Sequence, residues 1–270
     1  MTTVLFAEKE CRWSRRTVGE SLNMCHVVTG VDMQAKLFLF AILLLHILLP
    51  GCSQTETGHE PTAIELVEAA EVIRTALKIP DTTTIHIEQK PITDPVLELL
   101  RDNPDITNLL LDESEITDSG IATITTLPNL IHLRVRSKVT DACIDDLLRI
   151  ESLKVLNLPY ADFTDEGLQQ LANHPRIELL RLRSPRVTDA SMPAISKMQN
   201  LAFLHFIEIP VTDVGLEAFF KGDQLQSLYL DDCGVTNNGL SKLLKHQPAL
   251  HLHVNQAHLD NDPNEHSHDH

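Results

Sequence analysis

The chain has 270 residues, with 22 Lys and Arg against 38 Asp and Glu, a formal charge of −16. That acid excess argues against a nucleic-acid partner, whose phosphates a basic surface would have to neutralise. None of the five cysteines forms a C-x-x-C pair, which argues against structural zinc.

In chain order, residues 1–32 carry no periodicity and read as a non-native or unstructured extension, with translation starting at Met33. Residues 37–49 follow Lys36 as an almost unbroken apolar run. A membrane-spanning helix needs about 20 such residues, so this shorter run suits the core of a secretory signal. It ends in Leu49-Pro50-Gly51-Cys52-Ser53, which resembles a bacterial lipobox. The resemblance implies a lipoprotein signal peptide over 33–52 and lipidation of Cys52. It places the protein in the cell envelope, lipid-anchored at the outer membrane or periplasmic side. Residues 53–60 are polar and read as a tether. With an acidic body, the lipid on Cys52 rather than charge would hold the protein at a membrane.

Residues 61–80 place Ile64, Val67, Ala70, Ile73, Ala76 and Leu77 at helical spacing between Pro61 and Pro80. They predict a helix that caps the N-terminal end of the segment 81–260. Six Thr-Asp pairs stand in that segment, at Thr93-Asp94, Thr117-Asp118, Thr140-Asp141, Thr164-Asp165, Thr188-Asp189 and Thr212-Asp213. Their spacing is 24 residues with one step of 23, and Thr236-Asn237 continues it. A fixed period of this size predicts a solenoid whose units bury their apolar faces against one another. Helical repeats of the tetratricopeptide kind need about 34 residues per unit and fit poorly. Ahead of each pair stands an apolar triplet such as Leu153, Leu156 and Leu158, whose last two members alternate as in a short strand. After each pair, residues such as Gly167, Leu168 and Leu171 predict a helix, with the Thr or the Asp as its cap.

This L-x-x-L-x-L…T-D-x-G-L pattern resembles the leucine-rich repeat family, most closely its cysteine-containing subclass. The resemblance implies an α/β solenoid over 81–260, a horseshoe of seven to eight repeats with a parallel sheet on its concave face and helices on its convex face. The subclass cysteine stands only at Cys233; the matching positions hold Ser114, Ser137, Ala161, Pro185, Ile209 and Ala257.

Residues alternating with the inward leucines point out of the concave face. Arg134, Arg136, Arg181 and Arg183 cluster at its middle, with Asn157 between them and His205 and Tyr229 alongside. They read either as a binding patch for an acidic or anionic protein partner or as counter-charges to nearby acids. Residues 261–270 form a His- and Asp-rich tail with the composition of a disordered segment. There His266, His268 and His270 read either as weak metal ligands or as part of a solvated acidic tail. No catalytic or phosphate-loop motif occurs, so the sequence implies no cofactor and a non-enzymatic recognition scaffold. Two alternatives are a substrate-recognition protein of the F-box kind and a metal-scavenging surface lipoprotein.

Overall fold

The computed structural model describes residues 62–255 and the backbone of 257–258. Cys52, the signal segment, the tether and the histidines of the tail lie outside the described residues. Helix α1 (Ala63–Ala76) opens them. Thr62 accepts from the Glu65 N–H while the Glu65 carboxylate accepts from the Thr62 N–H, which satisfies two donors that a helix start leaves open. Only Ala69 and Ile73 of α1 are buried; Ile64 and Val67, which share the apolar spacing, are 72 % and 66 % exposed.

Eight parallel strands then follow one per unit: β1 (Thr84–Ile87), β2 (Asn108–Leu111), β3 (His132–Val135), β4 (Val155–Leu158), β5 (Leu179–Arg183), β6 (Phe203–Ile207), β7 (Ser227–Asp231) and β8 (His251–Val254). They pair strictly in sequence order, and β9 (Ala257–His258) adds an antiparallel edge to β8. The register aligns Leu109, Leu133, Leu156, Leu180, Leu204, Leu228 and Leu252 into one buried row. Opposite the sheet, short helices contribute Ile121, Ile144, Leu168, Met192, Leu216 and Leu240, all buried. The core is therefore one continuous strip between strands and helices, and each unit depends on its neighbours to complete it.

The Thr-Asp pairs divide two tasks between them. Each threonine from Thr117 to Thr236 caps its own helix, its Oγ accepting from a backbone N–H two or three residues on. Each aspartate reaches forward into the following unit instead. Its Oδ1 accepts from the next threonine's N–H at 2.7–2.9 Å, and its Oδ2 accepts from that threonine's hydroxyl at 2.5–2.7 Å. Threonine suits this place because the backbone there is extended, as at Thr164 (φ −94, ψ 177), a region β-branched residues favour. The ladder has recognisable ends. Thr93 has no aspartate behind it, and its buried Oγ1 is without a partner. At the far end Asn237 replaces the aspartate.

This clamp explains the residue three places after each threonine. A Cβ on Gly120, Gly167, Gly215 or Gly239 would lie 2.0–2.4 Å from the preceding unit's aspartate Oδ1. Where the position is not glycine it is a donor to that carboxylate. Ser191 Oγ hydrogen-bonds Asp165, and the Cys143 thiol hydrogen-bonds Asp118. Both of those units open with a 3₁₀ turn (Asp141–Cys143 and Asp189–Ser191), whereas the four glycine units open directly as α-helix. The helix expected after every pair is thus partly 3₁₀. One further departure is Pro185, which is exposed; the buried turn place in that unit belongs to Ser184, donating to the Phe163 carbonyl.

Asp141→Ala removes two charge-assisted bonds between units and is expected to cost about 2 kcal/mol in urea unfolding. Gly167→Ala should cost a similar ~2 kcal/mol through overpacking, while Asn237→Asp should be close to neutral. Acid should act through the same network. Hydrogen bonds from Thr236 hold Asp213 below the usual carboxylate range; at Asp165 burial pushes upward, but the bonds from Ser191 and Thr188 outweigh it. Glu98 is lowered to about 2, chiefly by Arg101. Depressed folded pKa values give stability that is complete above the unfolded value of about 4 and disappears as pH falls through the folded ones. Thermal melts should accordingly lose stability below pH ~4, and Asp213→Asn should flatten that loss.

Candidate functional site

The strand register carries the outward residues into rows as surely as it carries the leucines inward. One row reads His86, Leu110, Arg134, Asn157, Arg181, His205, Tyr229 and His253. Beside it, two residues earlier on each strand, lie His132, Val155, Leu179, Phe203, Ser227 and His251. On the other side Arg183, Ile207 and Asp231 are aligned. All seven residues read as partner-binding therefore share one face: Arg134, Arg136, Asn157, Arg181, Arg183, His205 and Tyr229.

They are not electrostatically alike. Asp112 accepts from Arg134 Nη2 at 2.5 Å, lies 3.3 Å from Arg136 Nε, and is 3.0 Å from His86 Nε2. Arg183 Nη2 donates to Glu208 Oε2 at 2.5 Å. The pairing raises the Arg183 pKa and lowers that of Glu208. Three of the four arginines are thus counter-charges to neighbouring acids. Arg181 is different: it has no hydrogen bond and no ion pair among the described residues, although its buried Nε without a hydrogen-bond partner is a feature it shares with Arg134 and Arg136. Burial first, then the charges of Arg136 and Arg134, depress its pKa, with Asp231 acting the other way. Its neighbour Asn157 is only 9 % exposed and makes no side-chain hydrogen bond, with Oδ1 buried and unmatched. Tyr160, half exposed, stands close enough to bear on the charge of both Arg181 and Arg183.

Farther along the row His205 Nε2 lies 2.9 Å from Asp231 Oδ2. Burial lowers the His205 pKa, the Asp231 contact opposes this, and Arg181 adds to it. The net shift is downward, so the imidazole is neutral at pH 7. Tyr229 stacks on His253 at 4.3 Å and lies 5.4 Å from His205, which makes this end of the face aromatic. At the opposite end His86, Glu88 and Asp112 bring three ligand atoms within 4.8 Å of one another. Arg134 already occupies the Asp112 carboxylate there, so a cation would compete with a resident positive charge. The two described cysteines are free thiols, and burial raises both pKa values, that of Cys233 to about 11. Such thiols are poor nucleophiles at neutral pH.

Glu208 and Tyr160 are residues of this face that the sequence alone did not place, and Asp112 is one that alternation turns outward without naming its partners. Asp112 was open to discovery, because one step across the register sets it beside Arg136. Glu208 was not, since it lies just beyond β6 in a left-handed conformation (φ 51).

A family model described as Leucine Rich repeat matches residues 150–172 and 225–244. Each match covers one strand, its turn and its helix, and the two are in phase with the Thr-Asp ladder. The fold is a leucine-rich repeat solenoid. No curated protein matches the chain. Leucine-rich repeat domains generally bind protein partners, which directs attention to the concave rows of this one.

NMR titration should find His205 below the ordinary histidine pKa of about 6.5. Asp231→Asn should lower it further, since the carboxylate favours the protonated ring.

Proposed function

We propose that the protein is a non-enzymatic, lipid-anchored, extracytoplasmic leucine-rich repeat scaffold that recognises a protein partner through its concave face. The observation that carries the recognition half is the unmatched pair Arg181 and Asn157 at the centre of a face whose other three arginines are paired with acids. The Arg181 terminal nitrogens and Asn157 Nδ2 make no hydrogen bond among the described residues, so an incoming acceptor can take them up. Aromatic and arginine side chains beside them, Tyr160, Tyr229 and Arg183, are the kinds that dominate binding energy in protein interfaces. An acidic body disfavours nucleic acid and fits a partner read at one site rather than attracted from all sides.

The anchoring half rests on sequence: the apolar run 37–49 and Leu49-Pro50-Gly51-Cys52-Ser53. Among the described residues no helix is long and apolar enough to cross a membrane. Lipid on Cys52 would then attach the solenoid to the envelope, at the outer membrane or its periplasmic side.

Two measurements test the halves separately. Metabolic labelling with palmitate should mark the wild-type chain and be lost in Cys52→Ala; a label that persists sinks the anchor. Cross-linking from intact cells should capture a partner whose yield falls with Phe203→Glu on the concave face and is unchanged by Val214→Glu on the exposed convex side. Equal capture by both variants would remove the concave face from the function.

A further inference from the structure

Among the described residues, the centre of the concave face combines three features: an arginine that makes no ion pair, an amide that makes no hydrogen bond, and an apolar strip on the same strands. Arg181 is flanked in register by Asn157 on β4 and His205 on β6. Of the four arginines, Arg134 and Arg136 share Asp112 and Arg183 holds Glu208. Asp231 lies farther along the row, engaged with His205. Four guanidinium groups face three carboxylates, and Arg181 is the one that none of them pairs, Asp231 acting on it only from a distance. Asn157 Oδ1 is the buried end of its amide, which leaves Nδ2 as the donor toward the open face. A guanidinium fork beside an amide N–H is a set of donors with no acceptor, the complement of a carboxylate.

The apolar strip argues for a chain rather than a free ion. Val155, Leu179 and Phe203 lie two residues before Asn157, Arg181 and His205 on their strands, and Phe203 is 40 % exposed. Two residues of strand span roughly 7 Å. The same distance separates alternate side chains of an extended peptide, so one segment can meet both rows. A bare anion would leave the apolar row in water, and a phosphate dianion would exceed the single charge that is unmatched.

We propose that Arg181 and Asn157 form a carboxylate-binding subsite that takes an acidic side chain of an extended protein segment, whose apolar neighbour rests on Val155, Leu179 and Phe203. The inference rests on the scaffold reading and sharpens it to a chemical class of partner.

The test uses the full-length chain in detergent micelles and blocked fluorescent peptides with the core leucine–glutamate–leucine. Glutamine and phosphoserine counterparts of the central residue complete the set. Wild type should bind the glutamate peptide about tenfold more tightly than the glutamine one. Arg181→Met and Asn157→Leu should shrink that ratio toward one, while Arg183→Gln, which removes an already paired cation, should keep it. Melting curves of each variant confirm that it is folded. Equal binding of glutamate and glutamine peptides by wild type overturns the subsite and needs no variant to interpret. Tighter binding of phosphoserine than glutamate overturns the carboxylate assignment. Cross-linked partner capture that falls with Phe203→Glu but ignores Arg181→Met also overturns the subsite, while leaving the scaffold reading in place.

Discussion

The aspartate of each unit is satisfied by the unit after it, and the rest of the molecule depends on that bond. A solenoid has no long-range contacts to set its geometry; each unit touches only its neighbours. Apolar packing drives neighbours together but is not directional. The carboxylate is directional, accepting both the backbone N–H and the hydroxyl of the next threonine. Two bonds on one residue fix translation and rotation between units. A slip of one residue would turn every strand side chain to the opposite face. The clamp opposes that slip at each of six junctions, and the straight rows of buried leucine and outward arginine are the consequence.

The clamp also constrains what surrounds it. A carboxylate placed between two helix starts needs either room or a donor. Gly167 leaves room for Asp141, and Ser191 supplies a donor to Asp165. The glycine that the repeat pattern favours is therefore a space requirement of the previous unit, not a conformational requirement of its own. Val96 illustrates the point from the other direction: its unit is the first, no aspartate precedes it, and a branched side chain is accommodated there.

The architecture was legible because period, strand alternation and helix spacing are properties of single units repeated in phase. The sequence placed Leu156, Leu158, Leu168 and Leu171 correctly inside, and the same counting set Arg134, Asn157, Arg181 and His205 in one row. The division of labour between Thr and Asp was less legible, since either side chain can cap a helix and only geometry shows the aspartate turned forward. Least legible was which arginine would lack a partner. Arg134 and Arg181 occupy equivalent places in their units, yet Asp112 lies one strand from Arg134, whereas the strands beside Arg181 present Asn157 and His205. Charge pairing across a solenoid is a property of neighbouring units, and a repeat pattern that averages over units conceals it.

That difference between equivalent arginines has a further consequence for selectivity. A body with 38 acidic residues against 22 basic ones repels strongly anionic partners at a distance, with a reach set by the salt concentration. On the concave face attraction centres on Arg181, the one of its four arginines without an ion pair. A segment bearing many carboxylates is therefore disfavoured before it arrives, whereas one carboxylate among apolar residues meets little repulsion and a fitting donor set. Paired arginines on either side reinforce the discrimination, because Asp112 and Glu208 already offset their charge and repel a second carboxylate. Selection against the wrong partner is then built from the acids around the site as much as from the arginine within it.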